Sequence, residues 1–413
     1  MNWILAIPIS VRLAAIGVAG VFLGGLVNLA IYRLAWRPRS ISPWSLPDPA
    51  APPRQLGDRL PILGWLGLRR ESPLHGRGFW LRPLAVELLC GACLAALYWW
   101  EIVEQGLLPV VLPPAVVQQI SLDLHLRFFC HAVLALLMLV ASLIDIDEKT
   151  IPDAITVPGT LFGLLAATAY PPVLLPVIGG QGLEFLRITT PLDWPAWLSG
   201  PRGLAIAIAC WWLWCVALMP RTWYTRHGVG RAFTLMVARL RRERATLQFA
   251  LLGLVGTAGI GMVWVWSGVR WQGLLTALVG LAASGGAIWA VRVMGTLALR
   301  REAMGFGDVT LMAMLGTLLG WQGCLMVFFL APLAGLVIGL GSLILNRGPE
   351  IPYGPFLCLA ATVVIVRWGA FWEWAEGIFL LGWFVPGVLA VCLVLMAGML
   401  FAWRLVLTAL GRQ

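Results

Sequence analysis

The segment Arg301–Leu311, "REAMGFGDVTL", sets one carboxylate, Asp308, behind a Gly-Phe-Gly and at the head of a strongly apolar run. A second acid closes another apolar run. In "LMLVASLIDIDEKTIPDAITVPGTL", Asp145 directly follows the run, Asp147 comes two residues later and Asp153 follows Pro152. Ionisable residues at such positions are costly and need a reason. Two carboxylates brought close share one proton, because both ionise together only at high cost. The ionised member then takes a proton from water while the neutral one donates to a carbonyl, which is amide hydrolysis without metal or cofactor. Gly305 and Gly307 suit that use, since they admit unusual backbone angles and close approach of an extended chain or a neighbouring helix. A plainer reading stands beside it. An aspartate just after glycine is an ordinary helix N-cap, Asp153 after a proline is a turn and cap residue, and Asp147 faces an aqueous loop.

The elements that must carry these acids are membrane helices. Of 413 residues, 60% are hydrophobic and only 12% charged, with a mean hydropathy of +0.87. Long apolar runs recur throughout, so the expectation is an all-α, polytopic helical membrane protein embedded in the lipid bilayer. A β-barrel is excluded, because its strands would alternate polar and apolar residues. Runs near 10–35, 83–103, 126–146, 154–178, 203–219, 249–267, 273–296, 308–325, 326–346, 355–373 and 377–405 predict about eleven transmembrane helices, the turn Gly320–Gly323 dividing the eighth from the ninth. The first run ends at Arg33 and Arg37 without a small-residue cleavage site and reads as a retained span.

The net charge of +10 is carried by arginine, Lys149 being the lone lysine. Arginines cluster in the short loops 37–82 and 220–248, which marks those loops as cytoplasmic rather than as a nucleic-acid surface. Alternate counting from an outer N-terminus places 147–153, 297–308 and 347–354 on the same inner side, so Asp145 and Asp308 lie at similar depth. The loop 37–82, rich in proline and arginine, reads as irregular. "RAFTLMVARLRRERATLQ" within 220–248 reads as a basic amphipathic helix or as an extension of the next span. The pair Cys90 and Cys93 lies inside a span without a second pair and reads as packing, and the four histidines are scattered. Glu87, inside a span, needs a partner such as Arg33 or Arg82. Tryptophans such as Trp99, Trp211 and Trp214 read as interfacial anchors, and the glycine run 253–261 as a close helix contact.

Several segments resemble the type IV prepilin peptidases, membrane aspartic proteases of the GxGD type. "LIDIDEKTIPDAITVPG" and "REAMGFGDVTLMAMLGTLLGW" resemble the two signature segments. "GGLVNLAIYRL" from Gly24, "LRPLAVELLCG" and "IPYGPFL" from Ile351 match further ones, in family order. The resemblance implies Asp145 and Asp308 as the catalytic pair, supported by Gly305, Gly307, Asp147 and Asp153. It implies prepilin or pseudopilin substrates with a basic leader, cut on the cytoplasmic face of the inner membrane, and links to pilus or type II secretion assembly proteins. Glu148, Asp147 and Asp153 are the acids suited to contact a basic leader. Many members also methylate the new N-terminus with S-adenosylmethionine.

The chain departs from the family in three places. Two Cys-x-x-Cys pairs that hold zinc in many members read "SPWS" (Ser42–Ser45) and "SPLH" (Ser72–His75), so no zinc is expected. Thr310 stands where the family has lysine. Spans are added within 179–270 and after 373. The implied organisation is a first span to 36, a basic loop 37–82, a core part 83–178 with Asp145, the insertion 179–270, a core part 271–373 with Asp308, and an extra span 374–413. An alternative is a non-catalytic descendant that binds pilin-like helices or assembly proteins.

Overall fold

The computed structural model describes residues 7–108, 110, 112–179, 182–219, 244–266, 268–299, 304–344, 352–382 and 384–409. They form helices in sequence order and, among the described residues, one two-stranded antiparallel hairpin, β1 (Pro176–Gly179) with β2 (Gly182–Phe185). The long helices are α1 (Ile9–Leu34), α2 (Leu81–Tyr98), α3 (Ser121–Glu148), α4 (Asp153–Ala169), α5 (Pro201–Leu218), α6 (Arg244–Trp266), α7 (Val269–Leu299), α8 (Phe306–Ile344), α9 (Gly354–Val366), α10 (Trp368–Phe379) and α11 (Phe384–Ala409). They coincide with apolar runs and leave large apolar side chains exposed, as on α1 at Val11, Val18, Phe22 and Leu26. That is the surface expected of helices solvated by lipid. The chain is a polytopic helical membrane protein.

The count of eleven spans is not reached. Seven helices among the described residues are long and apolar enough to cross, or eight if the bent pair α9 and α10 counts as one. The difference has physical causes. α4 stops at Ala169 because Tyr170 leads into Pro171-Pro172, and 17 residues give about 26 Å against a hydrocarbon thickness of about 30 Å. The expected span 355–373 breaks between α9 and α10, which meet at 91°. The division of 308–346 falls where the turn was read: Gly320 has φ 66° and ψ 173°. The helix doubles back there. Gly335 lies against Phe356, its Cβ position 3.3 Å from the ring, and Phe356 is two residues past Gly354, which bonds Asp145. A straight helix would carry Gly335 about 40 Å from Asp308.

One core runs through α3, α8 and α9, with Leu134, Ile144, Leu311, Met314, Leu357 and Ala361 all buried. A second joins α5, α6 and α7 around Trp211, Trp214 and Leu275. Trp211 and Trp214 are therefore interior packing residues rather than interfacial anchors. Gly253 and Gly256 of the glycine run lie against Trp212 and Trp211.

The loop 37–82 is folded rather than irregular. Short helical turns cover Leu56–Arg59, Leu63–Gly67, Leu68–Glu71 and Ser72–His75. Arg54 gathers them. Its guanidinium donates to the Ser40, Ser42 and Ser45 carbonyls at 2.8, 2.7 and 3.0 Å and to both oxygens of buried Glu71 at 2.9 and 3.0 Å. The loop docks on Glu87, which accepts the Ile62 N–H at 2.6 Å and the Trp65 indole N–H at 2.7 Å. The expected arginine partner of Glu87 is replaced by these neutral donors, and Arg82 pairs with Asp147 instead. Most of the second basic loop, residues 220–243, lies outside the described residues. His75 and His131 sit beside Glu71 and Glu101.

Candidate active site

Asp145 is placed by a helix that is made to stop. Lys149 takes the left-handed conformation, φ 55°, and its N–H closes on the Asp145 carbonyl at 2.8 Å. Pro152, with no N–H to give, then starts α4 at Asp153. Asp145 is left one turn from the end of α3, 4% exposed. Its Oδ2 accepts the Gly354 N–H at 3.1 Å, from the first residue of α9.

Asp308 enters from α8. The helix begins at Phe306, so Asp308 is its third residue and not its N-cap. Its carboxylate reaches back over the turn, with Oδ2 3.6 Å from where a Cβ on Gly305 would stand. The first turn of α8 lies on the chain just past α3: a Cβ on Gly307 would fall 2.8 Å from Ile151 Cβ and 3.1 Å from its backbone nitrogen. Glycine is what lets this turn approach. Asp308 is 6% exposed and close enough to Asp145 for the two carboxylates to interact electrostatically.

Both acids line one open cavity of about 870 Å³, with Gly305, Gly307, Asp153, Lys149 and Tyr353 also on its wall. Of the residues singled out from sequence, the structure brings Asp145, Asp153, Gly305, Gly307 and Asp308 together there. Asp147 is elsewhere, held by Arg82 at 2.7 and 2.8 Å. Glu148 is also engaged, accepting the Trp36 and Arg37 N–H groups at 2.6 and 3.1 Å. Thr310 is buried and donates to the Gly307 carbonyl at 3.0 Å. The Tyr353 hydroxyl is pushed up to about 12 by burial and by the Asp308 charge, so it stays a neutral donor. Reading the sequence missed Gly354 and Tyr353 as site residues, although "IPYGPFL" marked the segment that carries them.

These contacts fix one face. The end of α1, the α3–α4 connection and the starts of α8 and α9 all meet around the cavity, and both ends of the loop 37–82 bond to the last turn of α3, at Glu148 and Asp147. What the arrangement offers chemically is a pair of buried acids, open to solvent on one side, beside backbone N–H groups.

The residues do not fit zinc. At the four places where cysteines would hold it stand Ser42, Ser45, Ser72 and His75, and the Arg54 cation already takes the Ser42 and Ser45 carbonyls.

Residues 240–340 match the model of the type IV leader peptidase family. Several relatives carry the name prepilin leader peptidase/N-methyltransferase. That of Aeromonas salmonicida is 34% identical over 96 residues, 22% of this chain and 33% of its own. Those of Pseudomonas aeruginosa (35% over 113 residues, 24% and 39%) and Escherichia coli (31% over 127 residues, 30% and 52%) are similar. The chain thus spans between a third and about half the length of these curated relatives. No solved structure matches.

Proposed function

We propose that this chain, whose residues 240–340 match the type IV leader peptidase model, is a membrane aspartic endopeptidase of that family that removes the basic leader from type IV prepilins or pseudopilins. The observation that carries this reading is the pair Asp145 and Asp308, drawn from two helices into one cavity at one membrane face. The pair holds one proton between its members. The ionised carboxylate accepts a proton from the attacking water, and the protonated one donates to the scissile carbonyl. The Gly354 N–H holds Asp145, and Asp308 is held at the first turn of α8 against Gly305. No step draws on a metal or on S-adenosylmethionine.

The arginine-rich loop 37–82 shares this face, which supports cleavage on the cytoplasmic side of the inner membrane. Of the three acids suited to a basic leader, Asp147 and Glu148 are occupied within the protein. Asp153, exposed on the cavity rim, is the one placed to receive it.

The test is leader cleavage of a prepilin in membranes carrying this protein, wild type against Asp308→Asn and Asp145→Asn, with mass spectrometry of the product. Cleavage after a glycine by the wild type alone is the expected result. An added methyl group on the product would reveal retained N-methylation. A well-folded wild type that cuts none of several prepilins from the same cell would point to a binding component of pilus or secretion assembly.

A further inference from the structure

Position 310 carries no positive charge, and a buried cation from a different helix stands at the turn that carries Asp308. Thr310 turns its hydroxyl back to the Gly307 carbonyl and brings no charge. Arg292, on α7, is 7% exposed. Its Nε–H donates to the Met304 carbonyl at 2.8 Å, and its guanidinium lies 5.8 Å from the centre of the Phe306 ring. Met304 and Phe306 flank Gly305, so these two contacts hold the turn that delivers Asp308 from either side. The Met304 carbonyl precedes the helix and has no place in its hydrogen-bond ladder. A charge-assisted bond suits it, and the ring face adds a cation–π contact. Burying a guanidinium is costly, and the contacts to this turn are what offset that cost.

We propose that Arg292 is the positioning residue of the Asp308 turn: it anchors Met304 and Phe306 and sets a fixed cation beside the Asp308 carboxylate. This inference rests on the peptidase reading. The charge of Arg292 lies within electrostatic reach of Asp308. The other charged or titratable groups around Asp308 are Asp145 on α3, Lys149 and Asp153 at the α3–α4 connection, and Tyr353 and Cys358 at the start of α9. Lysine and glutamine separate the two parts of the role. Lysine keeps the charge without the planar fork. Glutamine can donate one hydrogen bond without charge.

The experiment uses the full chain in lipid nanodiscs and a prepilin substrate, comparing wild type, Arg292→Lys and Arg292→Gln. Melting temperatures and hydrogen exchange of the 304–308 amides are measured alongside. For Arg292→Gln we expect kcat to fall about ten-fold or more with KM within about two-fold, and the pH profile of cleavage to move roughly half to one unit towards alkaline pH. Arg292→Lys should restore the wild-type pH profile with only part of the rate. Exchange at 304–308 should rise in both variants without global unfolding. Wild-type exchange at this turn in Arg292→Gln would overturn the proposal whatever the activity. So would a pH profile unchanged in that variant. Absence of cleavage by the wild type would sink the peptidase reading, and the exchange measurement would still decide whether Arg292 holds the turn.

Discussion

The Gly354 N–H donates to Asp145 Oδ2 at 3.1 Å across a separation of 209 residues. This one bond registers the start of α9 against the end of α3. The contact leaves no room for a side chain: a Cβ at position 354 would lie 2.6 Å from that same oxygen. Gly354→Ala must therefore push the carboxylate aside or draw α9 away. We expect cleavage to fall about 100-fold, since misplacement by an ångström costs that much, while the protein still reaches the membrane and melts cooperatively. Cleavage within a few-fold of wild type would mean that the bond is incidental to the reaction.

Asp153 should set the preference for a basic leader. It is the rim acid with no hydrogen bond or ion pair given by another described residue, whereas Asp147 and Glu148 are engaged. Asp153→Lys should slow cleavage of a lysine-bearing leader roughly ten-fold, and a leader with that lysine changed to glutamate should recover much of the loss. Charge-swapped pairs that show no recovery would place leader recognition elsewhere.

The loop 37–82 should fold and persist without metal. Full-length protein is expected to carry no stoichiometric zinc by elemental analysis, and chelators should leave its protease resistance unchanged. Arg54→Ala should instead expose the loop to limited proteolysis, because it strands buried Glu71, at a cost of about 3 kcal/mol. The neighbouring ion pair adds a pH dependence. Burial works against the Asp58 charge, yet hydrogen bonds from Arg70 and from the Gln55 N–H hold its carboxyl below the usual carboxylate range. A lowered folded value stabilises above the unfolded pKa near 3.9 and is lost as pH falls through the folded one. Loop protection should accordingly be flat at neutral pH and fade only in strong acid. One bound zinc per chain, or a loop loosened by chelation, would contradict this account.

Much of the architecture is legible in the sequence because lipid imposes a simple rule: apolar runs become helices. Asp145, Asp308 and their glycines are legible because acids at span edges are costly. What the sequence hides is pairing at long range. Nothing near Glu87 announces that two N–H groups of the loop 37–82 will satisfy it, and an arginine is the natural guess. Nothing near Arg292 announces the turn at Met304–Phe306. The cap reading of Asp308 fails by a small shift. The helix begins three residues earlier than an N-cap aspartate would require, because Gly305 takes the cap position and Asp308 reaches back to it. The span count fails where proline and a sharp bend cut helices below crossing length.

The reversal at Gly320 leaves one limb of α8 short. From Phe306 to Leu319 it is only about 21 Å long, against a hydrocarbon core of about 30 Å. The segment after β2 meets its far end. The Trp321 indole N–H reaches the Ile188 carbonyl at 2.9 Å, and the Gln322 amide reaches those of Arg187 and Thr190 at 2.8 and 3.3 Å. The donors on the turn satisfy carbonyls that no helix ladder takes. The short limb is thus completed by non-helical chain, bound to it through the side chains of its own turn.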